Sequence, residues 1–100
     1  MRAIWQGEVI AEAPKDQLIY IEQNWYFPQG AVRRDLLMDS GTTTICPWKG
    51  EAHYYSIKVD NEINGDAAWY YPEPKESAIS SVKQDFSNYV AFWRGVEVKD

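Results

Sequence analysis

One short stretch, Thr42 to Tyr55, gathers the chain's only cysteine and only histidine with a proline, a lysine and a glycine. A thiol at Cys46 with Lys49 or His53 beside it has the parts of a nucleophile, because a nearby cation or base favours the thiolate. Lys49 could instead hold an anionic group, with Gly50 letting backbone pass close to a ligand. A plainer reading gives each residue a structural role. Free cysteine is among the most buried residue types, so Cys46, between apolar Ile45 and Pro47, is expected to be an enclosed thiol that alkylates slowly. Lys49 becomes an exposed lysine, or the partner of Glu51 or Glu73. His53 reads as an incidental strand residue.

A second stretch, Ala67 to Pro74, is aromatic. Strand alternation places Trp69 and Tyr71 on one face and Tyr70 on the other. With Tyr54 they form a candidate stacking wall with polar tips, although such rings also serve as ordinary core. The candidate ligand-binding residues are therefore Cys46, Lys49, Tyr54, Trp69 and Tyr71. Cys46 and Lys49 are the catalytic candidates if the chain catalyses anything. No G-x-S-x-G elbow or phosphate-cradling glycine loop is present, and the aspartates are dispersed among turns. One cysteine and one histidine cannot build a four-ligand zinc site. Neither a metal nor a cofactor is expected.

These residues need elements to position them. Arg2–Trp5 and Val9–Ala11 read as a hairpin about Gly7. Leu18–Glu22 is strand-like, Trp25–Phe27 is an aromatic strand end, and Leu36–Met38 is a short run stopped at Asp39-Ser40-Gly41. Thr42–Ile45 and His53–Val59 flank the Cys46–Gly50 connection. In the latter strand Tyr55, Ile57 and Val59 share a core face, while Ala52, Tyr54, Ser56 and Lys58 share a half-solvated one. Asn64-Gly65 signals a tight turn back into Ala67–Tyr71, which would carry Trp69 toward Lys49. One helix is expected from about Lys75 to Gln84, with Ala78, Ile79 and Val82 at helical spacing and Phe86 beyond. Tyr89–Trp93 and Val96–Val98 close the chain as strands. The expectation is a mainly β, single small domain over residues 1–100 with one short helix near the C-terminus.

Composition narrows the partners. The 100 residues carry a net charge of −5 and a pI near 4.8. Phosphate backbones are bound by clustered cations, and here Arg33-Arg34 is the only adjacent basic pair, followed at once by Asp35. Nucleic acid and anionic membranes are disfavoured. No run approaches the ~20 apolar residues of a membrane span, the start lacks a signal-like apolar segment, and a lone cysteine fits a reducing compartment; a cytoplasmic location is expected. Five Trp, seven Tyr and three Phe make 15% of the residues. That is more than a core of this size absorbs easily, so some rings should line a surface cleft.

Cys46-Pro47-Trp48-Lys49-Gly50-Glu51-Ala52-His53-Tyr54 resembles the C-P-x-K-G-x-A-x-Y block of the domain of unknown function 427 family. Ala68-Trp69-Tyr70-Tyr71-Pro72-Glu73-Pro74 resembles its A-W-x-Y-x-x-P block. Gly7–Ala11, Tyr26-Phe27-Pro28 and Phe92-Trp93 resemble weaker positions in the same order. The resemblance implies a compact β-tent-like fold of curled antiparallel sheets with a short helix. It also implies a nucleotidyltransferase-like heading, which the residues themselves do not support. Three functions stay open. A module could bind a small polar or anionic ligand, an enzyme could use Cys46 or Lys49 on a small substrate, or a protein-interaction domain could present its aromatics. A homo-oligomer is compatible with each.

Overall fold

A computed structural model describes all 100 residues. Nine strands and one helix follow in order: β1 (Arg2–Trp5), β2 (Glu8–Glu12), β3 (Ile19–Ile21), β4 (Asn24–Tyr26), β5 (Leu37–Cys46), β6 (Gly50–Val59), β7 (Glu62–Tyr70), α1 (Glu76–Val82), β8 (Val90–Phe92) and β9 (Glu97–Lys99). They form three antiparallel sheets, β2-β1-β9, the hairpin β3-β4, and β5-β6-β7-β8. The mainly β architecture with one short helix is therefore as the sequence predicts.

The four-stranded sheet is the middle layer, because β6, β7 and β8 carry apolar residues on both faces. On one face Tyr55, Ile57, Val59, Ala68, Val90 and Phe92 pack against Ala3, Ile10, Ala11 and Phe27. On the other, Ala52, Tyr71 and Ala91 pack with Ile19, Ile21, Tyr26, Ala78 and Phe86. The second cluster is held by edge-to-face ring pairs, Tyr26 with Phe86 at 6.2 Å and Tyr71 with Phe86 at 5.9 Å. Such pairs add to plain area burial because each ring edge meets a negative ring face.

Three boundaries differ from expectation for backbone reasons. β5 does not stop at Asp39-Ser40-Gly41. It continues through them as a bulge, since its pairing to β6 jumps from Asp39–Tyr55 to Thr43–His53, and Gly41 supplies a positive φ of 82°. Asn64-Gly65 is not a turn. The β6–β7 hairpin closes at Asp60-Asn61, with Val59 opposite Glu62 and Asp60 at φ 53°. Asn64 and Gly65 lie inside β7, where the Asn64 side-chain amide donates to the Arg94 carbonyl at 2.8 Å. The helix ends two residues early, because Lys83 turns left-handed and its N–H caps the Ile79 carbonyl at 2.7 Å. Its inner side still does what the spacing required: Ala78 is buried, and Ile79 and Val82 pack on the second cluster.

The half-solvated face read for β6 is only partly so. Ala52 is buried in the second cluster and Ser56 is buried, its hydroxyl accepting from the Asp66 N–H at 3.1 Å across a second bulge. Tyr54 alone keeps the mixed character that a cleft needs.

Candidate functional site

The two sequence blocks meet at the end of the β5–β6 hairpin. Gly50 sits at φ +122°, a conformation closed to residues with a Cβ, and a Cβ built there would lie 3.4 Å from the Glu73 carbonyl oxygen. Glycine is needed for the backbone conformation of the turn, over which the Glu73–Lys75 segment crosses at contact distance. The crossing is tied by the Lys75 N–H to the Lys49 carbonyl at 2.9 Å and by Lys75 Nζ to the Pro47 carbonyl at 2.7 Å. The close approach at Gly50 therefore involves the protein's own backbone.

Beside this crossing lies a cleft of about 140 Å³ lined by Lys49, Tyr54, Trp69, Tyr71 and Trp93. Tyr54 and Trp69 are cross-strand neighbours on β6 and β7. Three of the four rings are anchored at their polar tips. The Tyr54 hydroxyl shares a hydrogen bond with Thr44 Oγ1 at 2.9 Å. The Trp69 indole N–H donates to the Tyr26 hydroxyl at 3.1 Å, and the Trp93 indole N–H to the Asp66 carbonyl at 2.6 Å. The two indoles meet edge to face at 5.7 Å, and the Arg94 guanidinium lies 4.6 Å from the Trp93 ring centroid. Rings tethered in this way form a wall with little rotamer entropy left to lose on binding.

Lys49 departs most from its sequence reading. It is 6% exposed rather than a surface lysine. Its partner is neither Glu51 nor Glu73 but Glu22, from the β3–β4 turn. The ammonium also lies 5.3 Å from the Tyr71 ring centroid and 5.4 Å from that of Trp48. Burial pulls the lysine pKa down, but the Glu22 hydrogen bond and the nearby Tyr26 and Tyr71 hydroxyls raise it above 10.5 on balance. Burial pushes the phenols of Tyr26 and Tyr71 up, partly countered by Lys49. Glu22 is held below its usual value of 4.5, chiefly by the hydrogen bond from Lys49. The site is thus a protonated lysine among neutral phenols.

The signs of these shifts set a pH dependence. Glu22 contributes stability above its ordinary pKa, and that contribution disappears as pH falls through the lowered value. Lys49 contributes below 10.5 and loses its share only above the raised value. On going from about pH 5 to about pH 3, the wild-type Tm should fall by about 1–5 °C more than that of Glu22→Gln, the range expected of a partly exposed pair. Equal acid sensitivity of the two proteins in calorimetry would contradict it.

Cys46 does not line the cleft. It is half-buried and packs at the edge of the second cluster. Ile45 faces solvent, 69% exposed at the end of edge strand β5, so alternation turns Cys46 inward, where it is partly rather than fully enclosed. His53 points to the opposite sheet face, 5.7 Å from the Tyr70 ring, with Nε2 2.8 Å from Glu51 Oε1. Glu22 and Trp93 are the site residues that the sequence reading missed. For Trp93 alternation gives only a shared side with Ala91; that Ala91 opposes Trp69, which puts this side on the cleft, is set by the β7–β8 pairing. Glu22 carried no signal, because its partner is 27 residues away on a different sheet.

No three His, Cys, Asp or Glu side chains gather in a metal-binding arrangement. No helix is long and apolar enough to cross a membrane. The profile of a family described as a domain of unknown function (DUF427) matches residues 1–99. No curated protein matches the chain.

Proposed function

The chain belongs to the domain of unknown function 427 family, and from that premise we propose that it is a small-ligand-binding module. The ligand places a planar or apolar group against Trp69 and Trp93 and directs a polar or anionic group to Lys49. One observation carries this: a nearly buried lysine in the wall of a cleft whose other four lining residues are aromatic. Aromatic pockets with a single charged group are the usual form of a small-molecule site. Trp93 is 43% exposed and Trp48 37%, and Trp93 forms a wall of the concave cleft. That concavity favours a ligand over a flat protein partner.

The cleft has room for about one ring with a small substituent. A ten-atom fragment at roughly 0.3–0.5 kcal/mol per atom binds with a Kd of about 1 mM. Titration with benzenesulfonate, benzyl alcohol and benzylamine, read by tryptophan fluorescence, tests the reading. The first two should give saturable changes that Trp93→Ala abolishes, and benzylammonium should give none beside Lys49. Absence of saturation with all three, together with no small molecule released on denaturing the purified protein, would refute it.

A further inference from the structure

We infer that Glu22 is an internal anion occupying the ammonium of Lys49, which the anionic group of an incoming ligand must displace. This inference rests on the cleft reading above and deepens it by naming a residue that sets selectivity among anions.

The pair is asymmetric. The Lys49 side chain is 7% exposed and that of Glu22 is 54% exposed. Lys49 is fixed among Tyr26, Tyr71 and Trp48, whereas the carboxylate of Glu22 can rotate into water and be hydrated at once. Lys49 lines the cleft and Glu22 does not. With the rings of Tyr71 and Trp48 also packed about the nearly buried ammonium, a ligand anion entering the cleft and Glu22 compete for it. Only Glu22 has somewhere else to go.

The backbone at Glu22 points the same way. Glu22 and Gln23 both take left-handed conformations, at φ 51° and 69°, in the two-residue turn between β3 and β4. That turn favours Asn-Gly, and longer side chains there carry a conformational cost. A glutamate is a poor turn former at this position. Its carboxylate, aimed at a buried lysine 27 residues away, supplies a reason for its presence.

The consequence is a filter. When the competent state, with Lys49 released from Glu22, is only a minor fraction, apparent affinity for an anion falls by that fraction. Weak or singly bonded anions fail to displace the carboxylate, while a multiply charged or multidentate group succeeds.

The test compares wild type with Glu22→Gln, which keeps the side-chain shape and removes the charge. Benzenesulfonate is the probe because it stays ionised throughout. Glu22→Gln should bind it about tenfold more tightly, while affinity for neutral benzyl alcohol stays within about twofold. Glu97→Gln removes an equal exposed charge on β9, in the sheet across the middle layer from the cleft, and should change benzenesulfonate affinity less than twofold, since distant exposed charges are screened. The inference is overturned if Glu22→Gln binds benzenesulfonate no more tightly than wild type or Glu97→Gln. It is equally overturned if benzyl alcohol gains by the same factor. In both cases continued binding of benzyl alcohol leaves the cleft reading standing. If neither probe binds any of the three proteins, the cleft reading falls and this inference falls with it.

Discussion

Replacing Tyr26 with alanine should cost about 3–5 kcal/mol, the range for removing a fully buried aromatic ring. Tyr26 is fully buried, contacts Phe86 and Trp69 edge to face, and accepts the Trp69 indole hydrogen bond. Its loss opens a cavity in the smaller of the two clusters and leaves an indole N–H without its partner. It also strips a hydroxyl from the surroundings of Lys49. With total stability of roughly 5–15 kcal/mol for a domain, the variant would be marginal at 25 °C. Tyr26→Phe isolates the polar part and should cost about 1 kcal/mol. Urea unfolding of both variants measures the difference, and a loss below about 1.5 kcal/mol for Tyr26→Ala would mean that the second cluster does not hold the hairpin down.

Gly50→Ala is expected to have the second largest effect, about 2 kcal/mol. The residue sits at φ +122°, and a side chain held in a sparsely allowed region costs about 1–3 kcal/mol. The added methyl would meet the Glu73 carbonyl oxygen at 3.4 Å, an ordinary contact distance, so the cost lies in the backbone conformation. Because the Glu73–Lys75 crossing joins the two sequence blocks, the damage should be local. Amide exchange at Lys75, whose N–H bonds the Lys49 carbonyl, should accelerate more than exchange at Val90 or Ala91 in β8. Uniform acceleration across the chain would show instead that the crossing is no separate unit. Lys49→Ala is not the clean binding probe that an exposed lysine would provide. Burial beside Tyr71 and Trp48 means that it disturbs packing as well.

Much of this molecule is legible in short windows of sequence. The β1–β2 hairpin follows from β-prone runs about Gln6-Gly7, both at positive φ. Alternation in β7 separates Trp69 and Tyr71 from Tyr70, and the structure does set Tyr70 on the first cluster's face and the other two on the second. Helix spacing identified the packed side of α1. Each of these depends on residues within a few positions of one another. The errors cluster where two local preferences compete with a distant contact. Asn64-Gly65 is a good turn pair, yet pairing with β6 and the bond to Arg94 hold it extended while Asp60-Asn61 turns instead. Asp39-Ser40-Gly41 reads as a stop, but β6 continues alongside and β5 carries its extra residues as a bulge.

By itself the sequence determined the fold class and the alternation that sets Trp69 and Tyr71 apart from Tyr70. Backbone periodicity and glycine stereochemistry are local physics, so they can be read from neighbours. Only the tertiary structure decided what Lys49 is: a buried cation held by Glu22 from a separate hairpin, with the phenols of Tyr26 from that hairpin and of Tyr71 about it. It likewise set Trp93 into the cleft wall and Cys46 outside the lining. Charge pairing and desolvation depend on distances across layers, and no spacing along the chain encodes them.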